Sequence, residues 1–154
     1  MKYFYQIQSI IFEFFCSIKE FIDKSGIPLG CTIHGLGSVS ADHPLHMGML
    51  GMHGNYGPNV KTNESDVLIA IGMRFDDRVT GNLDKYAKQA KVIHIEIDPS
   101  EIDKNVHANV PILADAKLAL EALIPLIKEK TYPKWIKEFH DCEKQEQKKV
   151  INRD

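Results

Sequence analysis

Four short runs built largely from aliphatic residues, with helical stretches between them, constrain this chain more than any other feature. Residues 66–71 (DVLIAI) and 91–97 (KVIHIEI) are the plainest, and residues 28–33 (PLGCTI) and Val110–Leu113 (VPIL) complete the set. Runs nearly continuous in Val, Ile and Leu offer no polar face to water, so they suit strands covered on both sides in a parallel sheet. The intervening segments read as helices. One ends at Gly26, a natural C-terminal cap with Pro28 just beyond. Others are expected over residues 58–65, briefly over 99–105, over the amphipathic stretch 116–130, and over a charged tail, 132–150, that carries apolar Trp135, Ile136 and Phe139. Strands alternating with helices predict an α/β fold, a Rossmann-like doubly wound parallel sheet. A chain of 154 residues is long enough for one such domain.

Composition narrows the functional classes. A formal charge of −2 supplies no basic field for nucleic acid, so a phosphate-bearing ligand has to be held by local groups. Cys16, Cys31 and Cys142 lie far apart without a CxxC pair, which argues for reduced thiols in the cytoplasm rather than a disulfide framework. The apolar start, MKYFYQIQSIIFEFFC, is interrupted by Lys2, Gln6, Gln8 and Glu13 and falls short of the roughly 20 residues that span a bilayer. No signal-peptide cleavage site or plastid transit peptide is visible, so no membrane association is expected. Phe4, Ile7, Ile11, Phe14, Ile18, Phe21 and Ile22 instead fall on one face at helical spacing, suited to a core or an interface.

Ligands on doubly wound sheets bind beyond the carboxyl ends of the strands. Here the loops at those ends hold most of the unusual chemistry. Gly48, Gly51, Gly54 and Gly57 recur every third residue. Such glycines let backbone approach a ligand, or merely allow the loop to wind. Arg74 and Arg78 flank Asp76 and Asp77 directly after a strand. Their guanidinium groups suit phosphate or carboxylate, and an internal Arg–Asp network is the plainer alternative. Glu96 closes the third run, where a strand-end acid can bind ribose hydroxyls, while Asp98-Pro99 reads as a helix start. His34, His43, His46 and His53 have no accompanying metal-ligand spacing, so no metal site is expected.

From about Ile18 to about Trp135 the chain closely resembles the central domain of the acetolactate synthase (acetohydroxyacid synthase) large subunit, a thiamine-diphosphate enzyme. The matching segments are KEFIDKSGIPL, GLGSVSADHPLHMGMLGMHGN, DVLIAIGMRFDDRVTG, KVIHIEIDPSEIDKNV and ILADAKLAL. The resemblance implies a catalytic subunit that condenses two 2-keto acids with loss of carbon dioxide, in branched-chain amino acid biosynthesis. It also implies that this domain binds FAD in a structural, non-redox role. The implied flavin contacts are Thr32, Ile33, Leu50, Gly51, Met52, His53, Gly72, Met73, Arg74, Asp76, Arg78, Val79, Glu96, Ile97, Asp115 and Ala116. Met52, Asp77 and Arg78 match positions that line the substrate channel, with Arg78 placed to receive the carboxylate of the second keto acid.

The departures from the family pattern are equally specific. The family binds thiamine diphosphate and magnesium on two further domains, and the chain contains no GDG signature of such a site. The polypeptide is therefore expected to be catalytically silent alone. It would work as a homo-oligomer or with the missing domains, or else serve as a free-standing flavin- or nucleotide-binding module or a non-catalytic partner of complementary fragments. Residues 1–16 match neither the family's first strand nor its Gly-rich turn, which divides the chain into an atypical apolar start (1–16), a central domain (17–131) and a charged tail (132–154). Loss of a central first strand would leave an unpaired edge inside the sheet. Residues 2–8 can replace it as a strand, with Ser9 capping the helix, and a longer N-terminal helix is equally compatible.

Overall fold

The computed structural model of the chain describes residues 1–7 and 14–151. Its six strands are β1 (Tyr3–Ile7), β2 (Leu29–Cys31), β3 (His46–Met49), β4 (Val67–Ile71), β5 (Lys91–Glu96) and β6 (Val110–Leu113). They form one wholly parallel sheet in the order β3-β2-β1-β4-β5-β6. The helices are α1 (Phe14–Ser25), α2 (Tyr56–Thr62), the single turn α3 (Asp77–Thr80), α4 (Ala116–Leu123) and α5 (Pro133–Glu146). The doubly wound reading of the sequence is therefore the architecture of the molecule.

The feared gap at the sheet's centre is filled. β1 lies between β2 and β4, with Tyr5 opposite Leu29 on one side and Ile69 on the other. Its sequence, YFYQI, suits a strand buried on both faces. Tyr5 and Ile7 enter one core, while Phe4 enters the other. Phe4 and Ile7 consequently do not share a helical face with Ile18, Phe21 and Ile22. Three-residue spacing fits a helix, but an odd and an even position in a strand point to opposite sides. The sheet is not interrupted, and Phe4, Ile7, Ile18, Phe21 and Ile22, expected to serve a core or an interface, are buried in the fold. Ile11 and the proposed Ser9 cap lie outside the described residues.

The first core joins Tyr5, Ile7, Ile18, Ile22, Leu29, Ile71, Ile95 and Leu120, between the sheet and the α1–α4 layer. The second joins Phe4, Leu68, Met73, Phe75, Val92, Trp135 and Phe139, beneath α2 and α5. The expected charged tail is thus a packed helix. Trp135 Nε1 donates to the carbonyl of Tyr3 at 2.9 Å, and its ring meets that of Phe139 edge-on at 5.0 Å.

Two local expectations need correction, and one strand was not foreseen. The segment at 99–105 is a run of turns, because Asp98 accepts from Ser100 N at 2.8 Å, Asp103 accepts from Ala108 N at 2.7 Å, and Asp103 itself takes φ +58°. The helix expected over 116–130 ends at Leu123 and tightens into a 3-10 turn, Ile124–Leu126. Pro125 removes an amide donor there and crowds the preceding turn, and Ile127 leaves in an extended conformation (φ −81°, ψ 142°). β3 was hidden because it is a short edge strand containing Gly48 at φ +106°.

Candidate functional site

The carboxyl ends of β2, β3 and β4 converge on a cavity of about 210 Å³. Thr32 leaves β2 with its amide donating to Ile7 O at 2.9 Å, which ties the loop to the end of β1. The Thr32 hydroxyl is buried and has no hydrogen-bond partner among the described residues. A buried polar atom in that state is costly unless a ligand or water completes it. Ile33 beside it is 64% exposed, an apolar surface open to a ligand.

Asparagines hold the glycine loop after β3. Asn55 Oδ1 accepts from Met49 N at 2.9 Å, and Asn59 bonds both the amide and the carbonyl of Gly51, at 2.9 and 3.0 Å. Gly51 sits at φ +104°, and a Cβ there would lie 2.9 Å from Arg78 O. Only glycine lets this loop close onto the loop after β4. The two are then joined by Met52 N donating to Arg78 O at 2.7 Å and by Arg78 Nη1 contacting Met52 Sδ at 3.7 Å. Met52 and Arg78, which the sequence resemblance placed together, are therefore neighbours.

Among the described residues, the ion pair that the run after β4 makes with Glu101 does not join its arginines to Asp76 or Asp77. Asp76 caps α3, accepting from Val79 N at 3.2 Å, and Asp77 opens that helical turn on its exposed side. Arg74 reaches Glu101 at 3.5 Å. Arg78 is exposed, and among the described residues it pairs with no carboxylate. Its guanidinium is available to an anion.

The remaining candidates lie farther along the same edge. Gly72, at φ +56°, donates its amide to Ile95 O at 2.8 Å. Met73 is wholly enclosed in the second core, and its carbonyl bonds the ring of buried His94 at 2.8 Å. It shapes the floor of the edge rather than its surface. Glu96 turns Oε1 back to accept from Ile97 N at 2.8 Å and Asp98 N at 3.2 Å. Asp98 is not a helix cap, since no helix follows; its bond from Ser100 holds its carboxyl below the usual range. Asp115 caps α4 by accepting from Leu118 N at 3.1 Å, and Ala116 is that helix's first residue. Thr32, Ile33, Leu50, Gly51, Met52, His53, Asp76, Arg78 and Val79 line the one cavity, while Gly72, Met73, Arg74, Glu96, Ile97, Asp115 and Ala116 lie outside it.

A second cavity of about 280 Å³ opens on the other side of the joined loops. Asp77 and Arg78 share it with residues that motif reading did not single out: Gln6, Asn59, Thr62 and Tyr86. Tyr86 Oη donates to Gln6 Oε1 at 2.7 Å, and Gln6 Nε2 donates to Thr62 Oγ1 at 2.9 Å. Burial pushes the Tyr86 phenol up, so it remains a donor. A polar residue inside an apolar strand was the one available signal for Gln6. Asn59 had none.

The edge suits an extended anionic ligand. A hydroxyl and a guanidinium without protein partners of their own among the described residues, beside a glycine loop, supply donors for such a ligand. Among the described residues no group of three His, Cys, Asp or Glu side chains could hold a metal ion.

Comparison with known proteins sharpens this picture. The family described as thiamine pyrophosphate enzyme, central domain, matches residues 11–123. The chain is similar to acetolactate synthase isozyme 3 large subunit of Escherichia coli, with 42% identity over 124 residues, covering 80% of this chain and 22% of that protein. It is similar to acetolactate synthase 1, chloroplastic, of Oryza sativa subsp. japonica, with 46% identity over 114 residues, 74% of this chain and 18% of that protein. A probable acetolactate synthase large subunit of Methanocaldococcus jannaschii is 50% identical over 132 residues, 82% of this chain and 22% of the relative. The chain thus spans only 18–22% of the length of these relatives.

Proposed function

This chain belongs to the thiamine pyrophosphate enzyme central-domain family, and on that premise we propose that it serves an acetolactate synthase catalytic subunit by holding FAD at the carboxyl edge of its sheet. The observation that carries this reading is the closure of the Gly51 loop onto the Arg78 loop beside the unpartnered Thr32 hydroxyl. Thr32 and the backbone around Gly51 would bind the cofactor, and Arg78 would neutralise an anionic group. When bound, FAD supplies structure rather than redox chemistry in this reading.

The complete enzyme would condense two 2-keto acids with loss of carbon dioxide. Arg78 contributes there by receiving the carboxylate of the second keto acid, and Met52, seated against it, walls the approach. Carbanion chemistry in the complete enzyme belongs to thiamine, and the polypeptide of these 154 residues is expected to be inactive on its own. It acts by binding and positioning within a homo-oligomer or an assembly with the other domains. One observation favours a second reading as a free-standing flavin module: β1 completes the sheet, so the fold has no vacant central position. Titration of FAD into the purified chain and into Arg78→Ala, followed by flavin fluorescence, tests the cofactor claim.

A further inference from the structure

An apolar cavity beside the sheet shares no lining residue with the candidate site. It holds about 550 Å³ on the α1–α4 side, and none of its lining residues belongs to the Gly51 or Arg78 loops. Tyr5, Ile69, Ile93, Ile112, Leu123 and Ile127 form its walls. Its size is within the roughly 300–1,000 Å³ of small-molecule sites. α4 stops short at Pro125, so the sheet beneath is roofed only by the extended strap that follows. Half-exposed Val110 and exposed Leu126 mark the mouth.

The strap is fixed in place. Lys24 Nζ donates to Ile124 O at 2.6 Å, and Tyr132 packs on Tyr3 with ring centroids 5.6 Å apart. Gly26, at φ +65°, lets Lys130 O approach so closely that a Cβ would lie 1.9 Å from it. This places Lys128 and Lys130 on the cavity rim, while Glu129 between them does not line it. Neither lysine has a carboxylate partner among the described residues.

From this apolar cavity with two unpaired cations at its rim, we infer that the chain binds a medium-chain aliphatic carboxylate, tail inward and carboxylate at Lys128 and Lys130. A second copy of the chain is a poorer occupant, because a dry self-contact would bury both ammonium groups unpaired. A neutral lipid would leave them unused. Ser25 and the Tyr5 hydroxyl, whose ionisation burial suppresses, add neutral polarity without a competing negative charge.

The test is titration of the full chain with decanoate and with decanol, read by side-chain methyl shifts and by analytical ultracentrifugation. Decanoate is expected to saturate with shifts confined to Ile69, Ile93, Ile112, Leu123 and Ile127. Lys128→Ala with Lys130→Ala should weaken decanoate about tenfold and leave decanol unchanged. Ile112→Trp, which fills the groove, should abolish both. If that variant does not fold, the lysine pair, exposed and outside the core, decides the question. Three results overturn the inference: no saturable shift at those methyls, equal binding of acid and alcohol insensitive to the lysines, or self-association that covers the groove in the free protein. FAD binding should be unchanged in the lysine variants, which separates this site from the cofactor edge.

Discussion

Phe4 and Phe139 meet across the second core, their ring centroids 5.2 Å apart and their planes tilted by 32°. The first strand and the last helix therefore close a single packing unit, and neither end of the described chain is an appendage. Phe139→Ala is expected to cost about 3–5 kcal/mol in urea unfolding, as for other large aromatic truncations in a core. Removal of residues 1–7 should abolish cooperative unfolding, because it opens the sheet between β2 and β4. A full-sized transition without those residues would show that β1 is dispensable.

A second prediction concerns Gln6. Its Oε1 is buried and accepts from Tyr86 Oη. Tyr86→Phe removes the donor and keeps the ring, so the loss should be the desolvation cost of one orphaned acceptor, about 1–3 kcal/mol. Equilibrium denaturation measures it, and the variant should retain wild-type secondary structure by circular dichroism.

The acid limb of stability should report the N-terminal lysine. Burial opposes ionisation of Glu138, but hydrogen bonds from Lys2 (2.9 Å) and Lys61 (3.3 Å) outweigh it and hold the carboxyl below the usual range. A depressed folded-state pKa stabilises the protein above the unfolded value, about 4.3, and that contribution disappears as pH falls through the folded pKa. Urea midpoints from pH 6 to pH 3 should therefore fall less steeply for Glu138→Gln than for wild type. Parallel curves would place the acid sensitivity elsewhere.

The candidate site was legible in part, and the reasons differ by residue. Residues 66–71 and 91–97 declare strands because their apolar runs leave no solvent face, and the loops after such strands are where ligands bind. That is enough to find Arg74, Arg78 and Glu96. It does not show that Arg74 turns to Glu101 while Arg78 turns to Met52, since both outcomes follow from tertiary packing. β1 was open between strand and helix because its apolar positions satisfy either period over five residues, and only its pairing with Leu29 and Ile69 decides. Asn59 carried no local mark, and Gln6 only that of a polar residue inside an apolar strand. Their partners are Gly51, Thr62 and Tyr86, and the Tyr86 contact lies 80 residues away from Gln6.

Gly51 should be the most sensitive backbone position at the edge. Gly51→Ala places a Cβ against Arg78 O and strains φ +104°, at an expected cost of about 1–3 kcal/mol. It should also separate the two loops and weaken FAD more than it weakens the fold. Arg78→Ala should leave stability within about 0.5 kcal/mol, as for an exposed residue, and lower FAD affinity roughly tenfold or more through loss of a charge-assisted contact. Arg78→Lys should recover only part of it, because an ammonium cannot bond in the planar paired manner of a guanidinium.

The polypeptide should not turn over pyruvate when supplied with thiamine diphosphate, magnesium and FAD. Detectable acetolactate from the pure chain would contradict the assignment of the chemistry to residues outside it.

The most direct test of the cofactor claim is the melting temperature of the purified chain against FAD concentration. A ligand that binds only the native state must raise apparent stability as its concentration rises. The account predicts a saturable increase that Arg78→Ala and Gly51→Ala diminish. A cooperatively unfolding sample whose melting temperature does not move with FAD would contradict it.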